Sequence, residues 1–186
     1  LRRYPQMHID LVTDARLTDI VADGFDVGFR LAEAVPQDMV SVRLGPDVRL
    51  LVVCSPDYLA RQNAVPQTPH DLLSHACIRY RFTSGKLYRW EFERDGKSVV
   101  LDVGGPLTLD SPLLMAEAAL HGVGIAYVYE GYVCEHLQSG RLVQLLPDWT
   151  PVYAGLCLYY PRQRHITAAL RAFIDLAKEA REAFAA

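Results

Sequence analysis

An α/β fold is what this sequence predicts, and three observations carry that reading. Short runs of period-two alternation are interleaved with segments of helical spacing, Ser-Pro and Thr-Pro pairs stand where helices would begin, and glycines stand where they would end. The chain has 186 residues, 51% hydrophobic and 22% charged, a composition that excludes disorder, collagen-like repeats and simple coiled coils. One domain of this length, or two small lobes, buries an adequate core without a metal or a disulfide.

The elements follow in order. Residues 8–12 alternate as a strand, and from Ala15 to Asp23 the residues Leu17, Ile20 and Val21 recur at helical spacing before Gly24, a left-handed stop. Phe25, Val27 and Phe29 then share a strand face. Such a strand, helix, strand unit predicts a parallel sheet with a right-handed crossover. Pro36 and Pro46 bracket an edge strand at 40–44, and the nearly continuous apolar run 49–54 suits a sheet interior. Ser55-Pro56-Asp57 and Thr68-Pro69-His70-Asp71 each start a short helix, with a capping hydroxyl, a proline that needs no amide partner and a carboxylate in the first turn.

The middle of the chain reads as strands. Ile78, Tyr80 and Phe82 alternate, then Tyr88, Trp90 and Phe92, then Val99, Leu101 and Val103, with Asp95-Gly96 as a hairpin turn. A short strand leads to Asp110-Ser111-Pro112, a helix runs to His121, Gly122 ends it, and 125–128 returns as a strand. A helix around 129–137, strands at 142–145 and 155–160, and a long amphipathic helix from His165 complete the chain; Ile166, Leu170, Phe173, Ala177, Ala180 and Phe184 form its apolar face and Arg171, Asp175, Lys178 and Glu182 lie outside.

The net charge of −3 supplies no global field that would draw the chain to a phosphate backbone. No apolar run approaches the roughly 20 residues that a bilayer requires, and no signal-peptide core follows Leu1, so no membrane association is expected and the cytoplasm is the expected location. Cys54, Cys77, Cys134 and Cys157 are far apart in apolar surroundings and read as reduced core thiols.

Several groups invite chemistry. Gly122-Val123-Gly124 lies between a helix and a strand, the reverse of a dinucleotide-binding order, so helix termination is the better reading. Ser55, Ser84 and Ser111 lack a nucleophile motif, and two of them already serve as helix caps. The six histidines lack metal-ligand spacing, and the His75, Cys77 pair fits a strand entry equally well. No catalytic residue, metal or cofactor is expected. The basic and aromatic residues of 79–97 alternate, which favours a half-buried sheet over a stacking platform for single strands. Arg30 ends an apolar strand, where a guanidinium clamps a carboxylate or pairs with Asp26, Glu33 or Asp38. Ser111 and the amides after it form a small anion-binding terminus, or simply a cap.

The succession of motifs resembles LysR-type transcriptional regulators. It comprises Arg3-Tyr4-Pro5, the stretch from Asp19 to Arg30, Cys54-Ser55-Pro56-Asp57-Tyr58-Leu59, Pro66-Gln67-Thr68-Pro69-His70-Asp71-Leu72, Gly122-Val123-Gly124-Ile125-Ala126, Ser139-Gly140-Arg141-Leu142-Val143 and Arg171-Ala172-Phe173-Ile174-Asp175. The resemblance spans almost the whole chain and implies the C-terminal effector-binding region. That region is expected to have two Rossmann-like α/β lobes of the type II periplasmic binding protein kind, joined by two crossing strands. Residues 1–54 with 161–186 would form the first lobe and 55–160 the second. The DNA-binding winged helix-turn-helix, the linker helix and the first regulatory strand have no counterpart in these residues, so DNA is expected to be reached only through a domain outside this chain.

The resemblance further implies a small, anionic or aromatic effector between the lobes. Its expected contacts are Thr13 and Arg30 from the first lobe and Tyr80, Phe82, Ser84, Asp110, Ser111 and Tyr129 from the second. Tyr127-Val128-Tyr129 departs from the proline common in the family and would narrow the pocket or add a phenolic donor. A homodimer or tetramer is implied, antiparallel and side by side, with 8–12 of one copy against 112–138 of another. The competing reading is a stand-alone two-lobed solute-binding protein or a small enzyme of the same architecture.

Overall fold

The computed structural model describes residues 1–13, 19–163 and 166–184. In chain order the strands are β1 (Gly28–Leu31), β2 (Met39–Arg43), β3 (Val48–Cys54), β4 (Ile78–Tyr80), β5 (Trp90–Arg94), β6 (Lys97–Leu101), β7 (Leu107–Leu109), β8 (Ala126–Tyr129), β9 (Val143–Leu145), β10 (Val152–Tyr153) and β11 (Leu156–Pro161). The α-helices are α1 (Pro56–Ala60), α2 (Pro112–Leu120), α3 (Cys134–Gln138) and α4 (Ala168–Phe184). The chain divides into two compact units, Leu1–Asp47 with Tyr153–Ala186, and Val48–Val152. Pairing assigns β3 to the second unit and β11 to the first, a few residues from the lobe limits that the resemblance implies.

In the first unit β11 lies between β1 and β2 and is antiparallel to both. β1 and β2 therefore run the same way without touching, and β2 is an edge strand as expected; the expected parallel neighbour of β1, the strand at 8–12, is not formed among the described residues. Leu158, Tyr160, Leu170 and Ile174 form the buried core, with Val27, Val40, Val42, Leu44 and Phe173 packed on it. Leu170 and Phe173 belong to the apolar face expected of the last helix, whereas Ile174 lies outside that expected face and Ala180, which belongs to it, is exposed. The start expected of this helix at His165 lies outside the described residues, as do 14–18 of the expected first helix. Of its remaining residues, 20–24 form turns rather than a helix: Asp19 Oδ1 accepts from Val21 N at 2.9 Å, the Gly24 and Phe25 amides donate to the Val21 and Ile20 carbonyls, and Gly24 (φ 78°) is the expected left-handed stop. Residues 8–12, expected as a strand, pair with no strand among the described residues, and Ile9, Leu11 and Val12 are exposed. Alternation supplies two faces but no partner, and a strand exists only against another backbone.

In the second unit β3 and β8 are buried on both faces. Val52, Cys54, Ile125 and Tyr127 point into one cluster with Tyr58, Leu72, Trp90 and Phe92. Leu51, Val53, Ala126 and Val128 point into another with Met115, Ala116, Ala119 and Leu142. Because both faces are covered, the run 49–54 is apolar at nearly every position rather than at alternate ones. The β5–β6 turn is the expected hairpin, with Asp95 (φ 51°) and Gly96 (φ 72°) both left-handed. Trp90 and Phe92 face the core while Glu91 and Glu93 face outward, the half-buried sheet that the alternation predicts.

Candidate effector-binding face

β4 and β7 are parallel, with Tyr80 paired to Leu109, and a parallel bridge joins Cys77 to Ile125 at the entry to β8. Three strands of the second unit thus run in one direction and end at Tyr80, Leu109 and Tyr129. The glycines of Gly122-Val123-Gly124 make this possible. Gly122 (φ 71°) closes α2, its amide donating to Ala119 and that of Val123 to Ala118. A Cβ on Gly124 would collide with the Ala76 carbonyl oxygen. This close approach lets Ile125 N donate to Ala76 O at 2.9 Å. The glycines therefore end α2 and let the chain turn into the sheet, as expected.

At the ends of these strands, Asp110 and Ser111 lead into α2. Ser111 Oγ accepts from Leu114 N at 3.5 Å, a long version of the expected cap. Burial raises the Tyr80 phenol above its ordinary pKa, and the nearby Asp110 carboxylate adds to the effect, so Tyr80 remains a hydrogen-bond donor. Phe82 meets Tyr80 edge to face at 5.2 Å. Ser84 is exposed at the tip of a short hairpin whose strands join at an Arg81–Leu87 bridge. Its three-residue loop, Thr83-Ser84-Gly85, ends on a left-handed glycine (φ 84°), the geometry favoured for loops of that length. Tyr129 is 37% exposed and meets Tyr132 at 5.4 Å.

Of the expected site residues, Tyr80 meets Phe82, Asp110 and Ser111 follow β7 beside the end of β4, Ser84 stands at the hairpin tip, and Tyr129 ends the neighbouring strand. Tyr127 does not reach solvent as a pocket donor. It is 5% exposed and its hydroxyl donates to the Glu91 carbonyl at 2.7 Å, because its place on β8 turns it into the core.

In the first unit, the Arg30 guanidinium lies over the Tyr159 ring, 5.1 Å from its centre. Register explains the contact: Tyr159 pairs with Gly28, where any Cβ would strike the tyrosine ring, and Arg30 is the next residue on the same strand face. Glu33, one expected ion-pair partner of Arg30, accepts from Ala154 N at 2.7 Å. Thr13 is exposed and lies outside any helix or strand. Tyr159 carries no signal in the sequence, since only pairing between distant parts of the chain brings it to Gly28.

No group of His, Cys, Asp and Glu suited to a metal occurs among the described residues, and none of their helices is long and apolar enough to cross a membrane. The LysR substrate binding domain family model matches residues 1–182. YcaN of Escherichia coli (strain K12), described as an uncharacterized HTH-type transcriptional regulator, is 42% identical over 177 residues, covering 95% of this chain and 57% of that protein. The E. coli transcriptional regulator PgrR is 37% identical over 179 residues, covering 96% of this chain and 60% of that protein. The chain thus spans less than two thirds of the length of these relatives. Among solved structures, full-length AphB, a virulence activator of Vibrio cholerae, superposes with a TM-score of 0.80 at 24% identity, covering 97% of this chain and 60% of that one. CrgA, a LysR-type transcriptional regulator from Neisseria meningitidis, superposes with a TM-score of 0.77 at 24% identity, covering 96% of this chain and 60% of that one, and supports the type II periplasmic-binding-like fold.

Proposed function

The chain belongs to the LysR substrate binding domain family, and from that premise we propose that it is the effector-sensing part of a DNA-binding transcriptional regulator. It would act by binding a small metabolite rather than by catalysis, in the cytoplasm, with DNA contacted through a domain outside this chain. The observation that carries the reading is the convergence of Tyr80, Asp110, Ser111 and Tyr129 at the carboxyl ends of three strands of common direction, where open α/β sheets take their ligands. With Phe82 and Ser84, these residues would contact the effector in the second unit; Arg30 and Thr13 are the residues of the first unit that the family resemblance assigns to effector contact. The Arg30 fork, steadied on the Tyr159 ring, suits a carboxylate in the first unit, and the amides opening α2 suit an anion in the second. A ligand changes a regulator's output only through differential affinity for its states. The alternative of a stand-alone solute-binding protein or enzyme is not favoured, since the relatives are named transcriptional regulators.

The proposal includes a homodimer or tetramer in which residues 8–12 of one copy meet 112–138 of another. Two exposed apolar surfaces support it. Leu11 and Val12 are 72% and 55% exposed, and Leu113 and Leu114 of α2 are 58% and 54% exposed.

The test of the effector reading is a thermal-shift screen of carboxylate metabolites, followed by calorimetry on the parent and on Arg30→Ala. The variant is expected to bind a carboxylate effector about tenfold more weakly or worse, the effect of losing one charge-assisted hydrogen-bonding group. An unchanged dissociation constant with lowered stability would make Arg30 a structural cation instead.

A further inference from the structure

The residues of β11 alternate between the two faces of the first unit's sheet. Leu158 and Tyr160 point into the core against Leu170 and Ile174, so Tyr159 between them points to the other face, where it is 2% exposed. Its two lateral neighbours are small, Gly28 on β1 and Ser41 on β2. The ring leans over Gly28, where an added Cβ would strike it. From there it reaches the next residue of that strand face, Arg30, whose guanidinium carbon stands 5.1 Å from the ring centre, close enough for a cation–π contact. Burial raises the Tyr159 phenol above its ordinary pKa against the pull of the Arg30 charge, and the Asp19 carboxylate adds to the rise. The guanidinium therefore meets a neutral ring and not a phenolate.

From this arrangement we infer that Tyr159 is a positioning residue: its ring fixes the orientation in which Arg30 presents its guanidinium to a carboxylate, and Gly28 is the opening that admits the ring. The inference rests on the effector reading above and adds to it the part that presets its cation. A long side chain that is free in solvent loses rotamer freedom when it grips a ligand, whereas one already held on a ring has lost it beforehand. The two contacts do not compete. A ring lies against the flat face of a guanidinium, and carboxylate oxygens are bound in its plane by the N–H fork. An aliphatic side chain at 159 would fill the same core space but give the cation no negative ring face. The ring rather than the hydroxyl carries the role, so phenylalanine serves there in place of tyrosine.

The experiment is NMR of the arginine side chains, observed through their Nε–H groups, first in the chain alone and then in an acetate titration at constant ionic strength. Without acetate, the ring current is expected to move the Arg30 side-chain protons upfield in the parent and in Tyr159→Phe, and to leave them at ordinary positions in Tyr159→Leu. With acetate, a saturable shift of the Arg30 Nε–H is expected in the parent and in Tyr159→Phe, at an affinity about threefold to tenfold weaker in Tyr159→Leu and Gly28→Ala. Gly28→Ala keeps the ring and removes its room, so it tests the role even if Tyr159→Leu does not fold. Ordinary Arg30 positions in the parent, or an acetate affinity unchanged in Gly28→Ala, overturn the inference and leave the effector reading standing. A loss in Tyr159→Phe as large as that in Gly28→Ala assigns the role to the hydroxyl and overturns the inference as well. An Arg30 Nε–H in the parent that does not respond to acetate overturns both the inference and the part given to Arg30 in the effector reading.

Discussion

At the scale of single residues, burial decides which side chains can react or recognise. Desolvation pushes the Cys54 and Cys77 thiols up to about 12, far from any thiolate population at neutral pH, and Cys157 is buried as well. Cys134 on α3 is exposed, which corrects the expectation that all four cysteines are core thiols; its apolar sequence neighbours Tyr132 and Val133 give no sign that α3 turns it outward. Native alkylation at pH 8 followed by peptide mass mapping should therefore modify Cys134 and spare Cys54 and Cys77 until denaturant is added. Modification of either buried thiol in the folded chain would contradict the packing. Arg30 shows the other limit of reading by residue. Its place at a strand end is visible in sequence, but the Tyr159 ring beneath it is not, because that contact is made by pairing distant in the chain.

Elements whose cause is local were legible, and those whose cause is a distant partner were not. Ser55 caps α1, its Oγ accepting from Tyr58 N at 3.2 Å, and Asp95-Gly96 forms its hairpin, because in each case the interacting groups are within a few residues. The same holds for the face pattern of β3, where an unbroken apolar run announced two covered faces. Residues 8–12 and the neighbours of β1 failed because alternation names a buried face without naming the strand alongside. The hairpin 80–88 lies between these cases. Its rings alternate visibly in the sequence, but which side chains share a face is fixed only by the Arg81–Leu87 bridge.

For the whole molecule, the proposed sensor reading has two consequences, association and ligand binding. The exposed apolar surfaces at Leu11 and Val12 and at Leu113 and Leu114 predict a dimer or tetramer in sedimentation over a range of concentrations, and a Leu113→Glu, Leu114→Glu pair should shift it toward monomer. A monomer at every concentration would remove the association proposal while leaving the ligand face untouched. Ligand binding is the central claim, and the most direct measurement is an amide-resolved NMR titration of the chain with a carboxylate that raises its melting temperature. Perturbations should gather at Arg30, along Tyr80–Lys86, across Asp110–Leu114 and at Tyr129. Amides that stay still there while those of another surface move, such as the polar hollow near Arg94, Asp148 and Thr150, would contradict the account.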